Sequence, residues 1–274
     1  MPELPEVETI ARTLRPALIG KTILSADLRW PRSLAAPSPA AFKKHIKGQR
    51  IESISRRAKF LDLQLSDLHL LIHLRMSGDL LVVLGRYQPA KHDRLVAQLS
   101  ENTSLIFSDP RKFGRVWLVD DPAEIFQDLG PEPLSDVFTP DWLYSALRLR
   151  RRQLKPLLLD QTFLAGLGNI YTDEALHLAK LHPLSLSGSV TKKQAKGLWK
   201  AIREVLEEGI HHNGASIDWV YRGGDFQNHF RVYGRTGEPC PVCETTIERI
   251  TVGQRGTHFC PQCQVCAKPK NPVK

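Results

Sequence analysis

Phe60-Leu-Asp-Leu-Gln-Leu65 alternates apolar and polar side chains, the period of a strand that buries one face. Leu105-Ile-Phe107 is read the same way. Turn clusters such as Ser77-Gly-Asp79 and Ser100-Glu-Asn102 break up such segments from Thr22 to about Val119, enough antiparallel strands for a sandwich or barrel. Ahead of them, Val7, Ile10, Ala11, Leu14 and Leu18 recur at helical spacing and Pro5 suits a first turn, so residues 5–18 are expected to form an amphipathic helix. Behind them, Pro122, Gly130, Pro131 and Pro133 mark a linker. Helical periods then cover residues 139–149, 153–160, 168–180 and 191–212, the last opening on Thr191 as N-cap. Asn213 to Asn228 carries glycine and no period, and reads as a loop. No internal repeat is visible.

The chain has 274 residues, long enough for a sizeable core and for about two domains. Lysine and arginine number 38 against 29 acidic residues, a formal charge of +9, which favours a polyanionic partner because basic side chains displace the counterions of phosphates. No apolar run is long enough to span a bilayer. The acidic, proline-rich N-terminus is unlike a signal peptide, so a cytoplasmic location is expected. The cysteines are Cys240, Cys243, Cys260, Cys263 and Cys266, and their clustering near one end favours metal over disulfide in a reducing compartment.

Cys240-Pro-Val-Cys243 and Cys260-Pro-Gln-Cys263 are two C-x2-C pairs with a hairpin-length segment between them. Four thiolates suit one tetrahedral zinc with every position filled, a structural role. Cys266 is left over. The hairpin carries Arg249, Arg255 and His258 and so offers cations to a phosphate, although any one arginine there is more often merely solvated. At the other end the chain reads Met1-Pro-Glu-Leu-Pro-Glu-Val-Glu8. Removal of Met1 would make Pro2 the N-terminus, a secondary amine. An α-amino group titrates near about 8 and is partly unprotonated at neutrality, able to attack an electrophilic carbon and form an iminium.

Six separated motifs occur in one order: the opening octapeptide, Arg56-Arg-Ala-Lys-Phe-Leu61, Arg75-Met-Ser-Gly78, Asp109-Pro-Arg-Lys-Phe-Gly114, Gly166-Leu-Gly-Asn-Ile-Tyr-Thr-Asp-Glu174 and the four-cysteine tail. Together they closely resemble bacterial formamidopyrimidine-DNA glycosylase, over nearly the whole chain. The resemblance implies an α+β fold: an N-terminal antiparallel β-sandwich flanked by helices (residues 2–130), a helix–two-turns–helix domain with a lesion-capping loop (131–230) and a zinc ribbon (231–267). It implies removal of oxidised purines from double-stranded DNA by a monomer, with one structural zinc on Cys240, Cys243, Cys260 and Cys263.

It also implies roles. Pro2 attacks C1′ of the damaged nucleotide, and Glu3 shuttles the proton as the sugar opens. Lys59 grips a phosphate beside the lesion, though a surface lysine on a strand fits the residues equally well. A flipped base leaves a gap, which Met76, Arg111 and Phe113 fill; all sit in turn-like runs, where exposed apolar side chains suit a wedge. Asn169 serves as helix cap and phosphate ligand. His73, Tyr233 and Arg255 match further phosphate contacts, against the alternative that His73 simply faces inward from a strand. Ser216, in the stretch up to Phe226, faces the oxidised base. Glu6 and Glu174 match acidic residues near the active site, or else only complement helix dipoles. Ala58 and Arg75 stand where the family pattern leads us to expect glycine.

Three rivals remain: an endonuclease VIII-type enzyme acting on oxidised pyrimidines, a non-catalytic lesion-binding protein, and a plain zinc-ribbon interaction protein. Leu4 with the Met76, Arg111 and Phe113 set matches the purine branch better, and Pro2, Glu3 and Lys59 are all present.

Overall fold

The computed structural model describes residues 1–216 and 223–266. Residues 1–128 with 213–224 cluster as one unit, and residues 129–212 with those from Asp225 onward as a second.

The first unit opens with helix α1 (Leu4–Leu18). Its start is defined by Glu3 and Glu6, the carboxylate of Glu6 reaching back to accept the Glu3 N–H at 2.8 Å, half of a capping box that satisfies donors a helix leaves orphaned. Strands follow in the order β1 (Ile23–Leu28), β2 (Leu34–Ala36), β3 (Ile51–Arg57), β4 (Phe60–Leu65), β5 (His69–His73), β6 (Asp79–Leu84), β7 (Asp93–Leu99), β8 (Thr103–Ser108) and β9 (Arg115–Val119). One sheet has the order β1-β7-β8-β6 and the other β2-β9-β5-β4-β3, antiparallel except for the short β2–β9 pair. Val7, Ile10, Leu14 and Leu18 of α1, Leu61 and Leu63 of β4 and Leu105 and Phe107 of β8 share one core, so the two sheets and the helix close on the same apolar interior. The turn from β7 to β8 puts Glu101 and Asn102 at φ 56° and 53°, the left-handed values of a tight hairpin. Within β4 the alternation fails only at Asp62, buried because its Oδ1 lies 2.8 Å from His69 Nδ1 on the neighbouring strand.

Two short helices fall where none is expected from the sequence. Helix α2 (Pro39–Ile46) interrupts the strand region; Ser38 caps it at the Ala41 amide and only Phe42 and Ile46 are buried, too few apolar positions to show a period. Helix α3 (Ala123–Phe126) sits in the proline-marked linker and buries nothing.

The second unit holds helices α4 (Pro140–Arg148), α5 (Leu154–Leu158), α6 (Asn169–Leu178) and α7 (Lys192–His211), then strands β10 (Glu248–Val252) and β11 (Arg255–Phe259), which pair antiparallel. Thr191 and Gln194 form the capping box of α7. Gly209 is required on that helix, since a Cβ there would lie 2.4 Å from the Tyr171 ring. Helix α6 is buried on nearly every side, from Ile170 to His177, which explains its weak amphipathic signal.

A buried ion pair ties these parts together. Lys155 Nζ lies 2.6 Å from Asp173 Oδ1, both side chains fully inaccessible, and also donates to the Gly256 carbonyl at 3.0 Å. Asp173 Oδ2 accepts the His258 N–H at 2.9 Å. Such a pair is costly to break from one side because the remaining charge has no water. Lys155→Met is expected to lower the unfolding free energy by about 3–5 kcal/mol. The double change Lys155→Met/Asp173→Leu should recover most of that loss in urea titrations; a double mutant no more stable than the single would show that the pair contributes net stability.

Candidate active site

Pro2 is buried at the head of α1, and Glu3 is buried beside it as the helix N-cap. Glu6 is 2% exposed and divides its carboxylate: Oε2 holds the Glu3 amide, and Oε1 accepts the Ala215 N–H at 2.8 Å. Gly214 makes this possible. It has φ +80°, and a Cβ there would come within 2.8 Å of the Glu6 side chain. Glu6 therefore anchors the 214–215 backbone as well as capping the helix.

Lys59 is 4% exposed, in the turn between β3 and β4, not solvated on a strand. Arg56 fixes that turn: its Nε lies 3.3 Å from Glu8 Oε2 on α1 and its Nη1 donates to Ala58 O at 2.9 Å. Ala58 has φ 53° and Arg75 φ 55°. Both expected glycines thus stand at left-handed positions, which only glycine adopts without strain.

His73 is buried at the end of β5. Its Nδ1 accepts the Arg75 N–H at 3.0 Å. Burial, with the charges of Arg75 and Lys59, lowers its pKa to about 3. It is a neutral imidazole with its proton on Nε2, so any phosphate contact it makes is an uncharged hydrogen bond.

Met76 and Phe113 are exposed, at 38% and 49%, on the turns after β5 and β8. The Arg111 guanidinium lies 4.9 Å from the Phe113 ring centre. What organises both turns is Asp109, 1% exposed. Its Oδ1 accepts from the Ser77 hydroxyl and from the Arg111 N–H, and its Oδ2 accepts the Gly114 N–H at 2.7 Å. One carboxylate thus clamps the Met76 turn to the Arg111–Phe113 turn. Asp109 and Ser77 carry no local signal of this role, since a lone acidic residue before a proline gives no sign in the sequence that it faces inward.

Ser216 closes a small ring in the same unit: its hydroxyl donates to Gly224 O at 2.7 Å and accepts the Gly224 N–H at 3.0 Å. Of the capping stretch 216–226, residues 217–222 lie outside the described residues.

In the second unit the cap of α6 is Gly168, and Asn169 is its first residue, a correction to the expectation that Asn169 caps the helix. Its Nδ2 donates to Gly256 O at 3.0 Å, the carbonyl that Lys155 also reaches. The residue next to that carbonyl is Arg255, exposed at the start of β11. Lys155, which sequence reasoning did not single out, therefore fixes the backbone beside two of the expected phosphate ligands. Glu174 is fully buried and accepts three amides, from Arg231 at 2.8 Å, Val232 at 2.9 Å and Tyr233 at 2.8 Å. Burial still pushes its pKa up. Glu174 acts here as a tether for the segment bearing Tyr233, whose ring packs edge-on to His258 with centroids 5.0 Å apart.

The sulfurs of Cys240, Cys243, Cys260 and Cys263 lie within 4.8 Å of one another, with Cys243 Sγ 3.4 Å from both Cys260 and Cys263 and Cys240 Sγ 3.9 Å from Cys263. A zinc–thiolate tetrahedron with bonds of about 2.3 Å has edges of roughly 3.8 Å, so the donor set fits zinc. Hydrogen bonds from Thr245 hold the Cys243 thiol down to about 6, whereas burial pushes Cys260 and Cys263 up; a bound cation removes that conflict by taking all four as thiolates. His177 Nε2 lies 3.4 Å from Cys240 Sγ. Cys266 is exposed and outside the cluster.

A sandwich unit, a helical unit and a four-thiolate ribbon define a class of zinc-ribbon protein with a helix–two-turns–helix domain. Three family models match in sequence along the chain: the formamidopyrimidine-DNA glycosylase N-terminal domain over residues 1–116, the H2TH domain of the same family over 129–220, and the zinc finger found in FPG and IleRS over 237–265. The chain is 51% identical to the formamidopyrimidine-DNA glycosylase of Chloroflexus aurantiacus over 273 residues, covering 97% of this chain and 98% of that one. It is 42% identical to that of Pelotomaculum thermopropionicum, covering 96% and 99%. Among solved structures it resembles MutM in complex with carbocyclic 8-oxo-G DNA at TM-score 0.91 and 39% identity, over 96% of this chain and 100% of that one. It likewise resembles Lactococcus lactis Fpg bound to abasic-site DNA, at TM-score 0.91 and 38% identity, over 96% and 99%. The chain belongs to the formamidopyrimidine-DNA glycosylase family.

Two outcomes are expected. Asp109→Ala orphans a buried hydroxyl and the Gly114 amide and leaves the Arg111 amide only the Ser77 oxygen at 3.2 Å, and should cost about 2–4 kcal/mol; amide exchange should rise at Arg111 and Gly114 while α6 and α7 keep their protection. Stripping zinc with a chelator should release one ion per chain and expose the ribbon amides to exchange, and elemental analysis finding no zinc in the purified protein would refute the four-thiolate centre.

Proposed function

We propose that this chain is a base-excision repair enzyme that removes oxidised purines from duplex DNA and then cuts the strand. The observation that carries this reading is the head of α1: Pro2 is buried next to Glu3, and Glu3 is pinned through its own amide by Glu6. Once Met1 is removed, the Pro2 nitrogen attacks C1′ of the damaged nucleotide as the bond from C1′ to the base breaks. Glu3 supplies and retrieves the proton as the sugar ring opens. The iminium acidifies the adjacent carbon, so β-elimination releases the 3′ phosphate and δ-elimination the 5′ phosphate. Buried Lys59 supplies charge to a phosphate beside the lesion.

Met76, Arg111 and Phe113 fill the space the extruded base leaves; Phe113 stacks, and Arg111 hydrogen-bonds the orphaned partner. Asn169 and Arg255, beside one shared carbonyl, bind backbone phosphates together with His73 and Tyr233, while Ser216 belongs to the loop that covers the base. The enzyme works as a monomer, on the bacterial chromosome in the cytoplasm, with domain limits near residues 130 and 230. The substrate class rests on the relatives, whose structures hold 8-oxo-G, abasic and N7-benzyl-Fapy-dG DNA.

The test is borohydride trapping on a duplex carrying 8-oxoguanine opposite cytosine, beside one carrying thymine glycol. Covalent trapping and strand cleavage are expected mainly on 8-oxoguanine, and an N-terminal extension should abolish both. Trapping that survives the extension would remove Pro2 from the mechanism, and preference for thymine glycol would move the enzyme to the pyrimidine-directed branch. Affinity should fall log-linearly with salt, each neutralised phosphate releasing about 0.9 counterion.

A further inference from the structure

We propose that His212, Asp225 and His229 form a second metal site, for one divalent transition ion of the Zn2+, Ni2+ or Cu2+ kind, separate from the four-cysteine centre. Each residue offers a ligand atom, and these atoms all lie within 4.8 Å of one another. The three come from two pieces of chain that the backbone already joins. His212 is the C-cap of α7; Asp225 caps the 3-10 turn Phe226–His229, and His229 is that turn's last residue. The Asp225 N–H donates to His212 O at 3.0 Å, and the Asp225 carboxylate lies 3.0 Å from His212 Nδ1. The His212 and His229 rings sit with centroids 3.8 Å apart.

Three features favour a cation here over an ordinary histidine–aspartate hydrogen bond. Such a bond needs one imidazole, whereas here a second imidazole brings a further ligand nitrogen within the same 4.8 Å. The site lies at the C-terminal end of a helix of 20 residues, where the carbonyl ends concentrate negative potential. The side chains remain reachable, with His212 26% and Asp225 60% exposed, so an ion can enter and keep water on its open positions. Two imidazoles with one carboxylate suit borderline transition metals and not Mg2+ or Ca2+, which prefer all-oxygen sets. With fewer and harder donors than four thiolates, the site binds more weakly than the ribbon centre. An ion held there fastens the end of α7 to the turn that leads into the segment tethered by Glu174.

The experiment uses untagged protein with its ribbon zinc in place, titrated with NiCl2 by calorimetry and followed by elemental analysis. The expected result is one Ni2+ per chain in addition to the ribbon zinc, with a rise in melting temperature. His229→Gln and Asp225→Asn should each weaken binding by about tenfold or more and lose that rise. Both alter exposed positions, and retention of one zinc per chain verifies that each variant is folded; His212→Gln is a third variant on the same terms. No Ni2+ beyond the ribbon zinc, undiminished binding in His229→Gln, or equally strong binding of Mg2+ would overturn the assignment.

Discussion

A buried carboxylate turned onto backbone amides is the interaction on which the rest of this structure depends. Glu6 holds the amides of Glu3 and Ala215, Asp109 those of Arg111 and Gly114, Glu174 those of Arg231, Val232 and Tyr233, and Asp173 that of His258. Burying a carboxylate costs several kcal/mol, while a hydrogen bond to a charged group returns about 1.5–3 kcal/mol. One amide does not balance that cost, but two or three do. Every one of these carboxylates therefore gathers more than one partner, mostly on turns and connecting segments, with Asp173 instead joining Lys155 of α5 to the His258 amide of β11. The chain fixes its loops by charge where they are too short and too polar to bury a core of their own.

That arrangement explains how the exposed Met76 and Phe113 side chains stay in place. Met76 and Phe113 contribute little packing of their own, being 38% and 49% exposed, yet Ser77 and Asp109 beneath them are 3% and 1% exposed. Gly78 and Gly114 complete the support. A Cβ on Gly114 would meet the Phe107 ring at 2.3 Å, and one on Gly78 the Leu74 carbonyl at 2.5 Å. The two turns are pressed against the core through glycine and locked by one carboxylate. The Met76 turn and the Arg111–Phe113 turn are thus already ordered in the folded chain.

What the sequence made legible follows the length and regularity of each signal. The long periods were readable: α1, α7 and the strand region were each placed within a few residues, and the two C-x2-C pairs identified their cluster outright. Helices α2 and α3, of 8 and 4 residues, carry too little apolar pattern to be seen. At the proposed site, Pro2, Glu3, Met76, Arg111 and Phe113 were conspicuous in the sequence because their chemistry is unusual for their positions. Asp109, Lys155 and Asp173 were not, because burial of a charge comes from tertiary contacts between residues up to 101 apart in sequence, as for Lys155 with Gly256. For Glu174 the motif was visible, but nothing local indicates that its carboxylate reaches residues 231–233.

Ala58 and Arg75, which stand where glycine is expected, carry a local backbone strain. An L-residue in the left-handed region costs roughly 1–2 kcal/mol, which Ala58 and Arg75 both bear at φ 53° and 55°. At Arg75 the left-handed turn aims its amide at His73 Nδ1 and so fixes the imidazole proton on Nε2. Burial and the charges of Arg75 and Lys59 then keep that ring neutral down to a pKa of about 3. The positive charge at this edge of the sandwich is carried by Lys59 and by Arg75, the latter exposed beside the Met76 turn, and not by the histidine. Arg75 thus sets the tautomer of His73 through its backbone amide, as a glycine there also would, while its side chain adds a cation beside the Met76 turn, which a glycine would not.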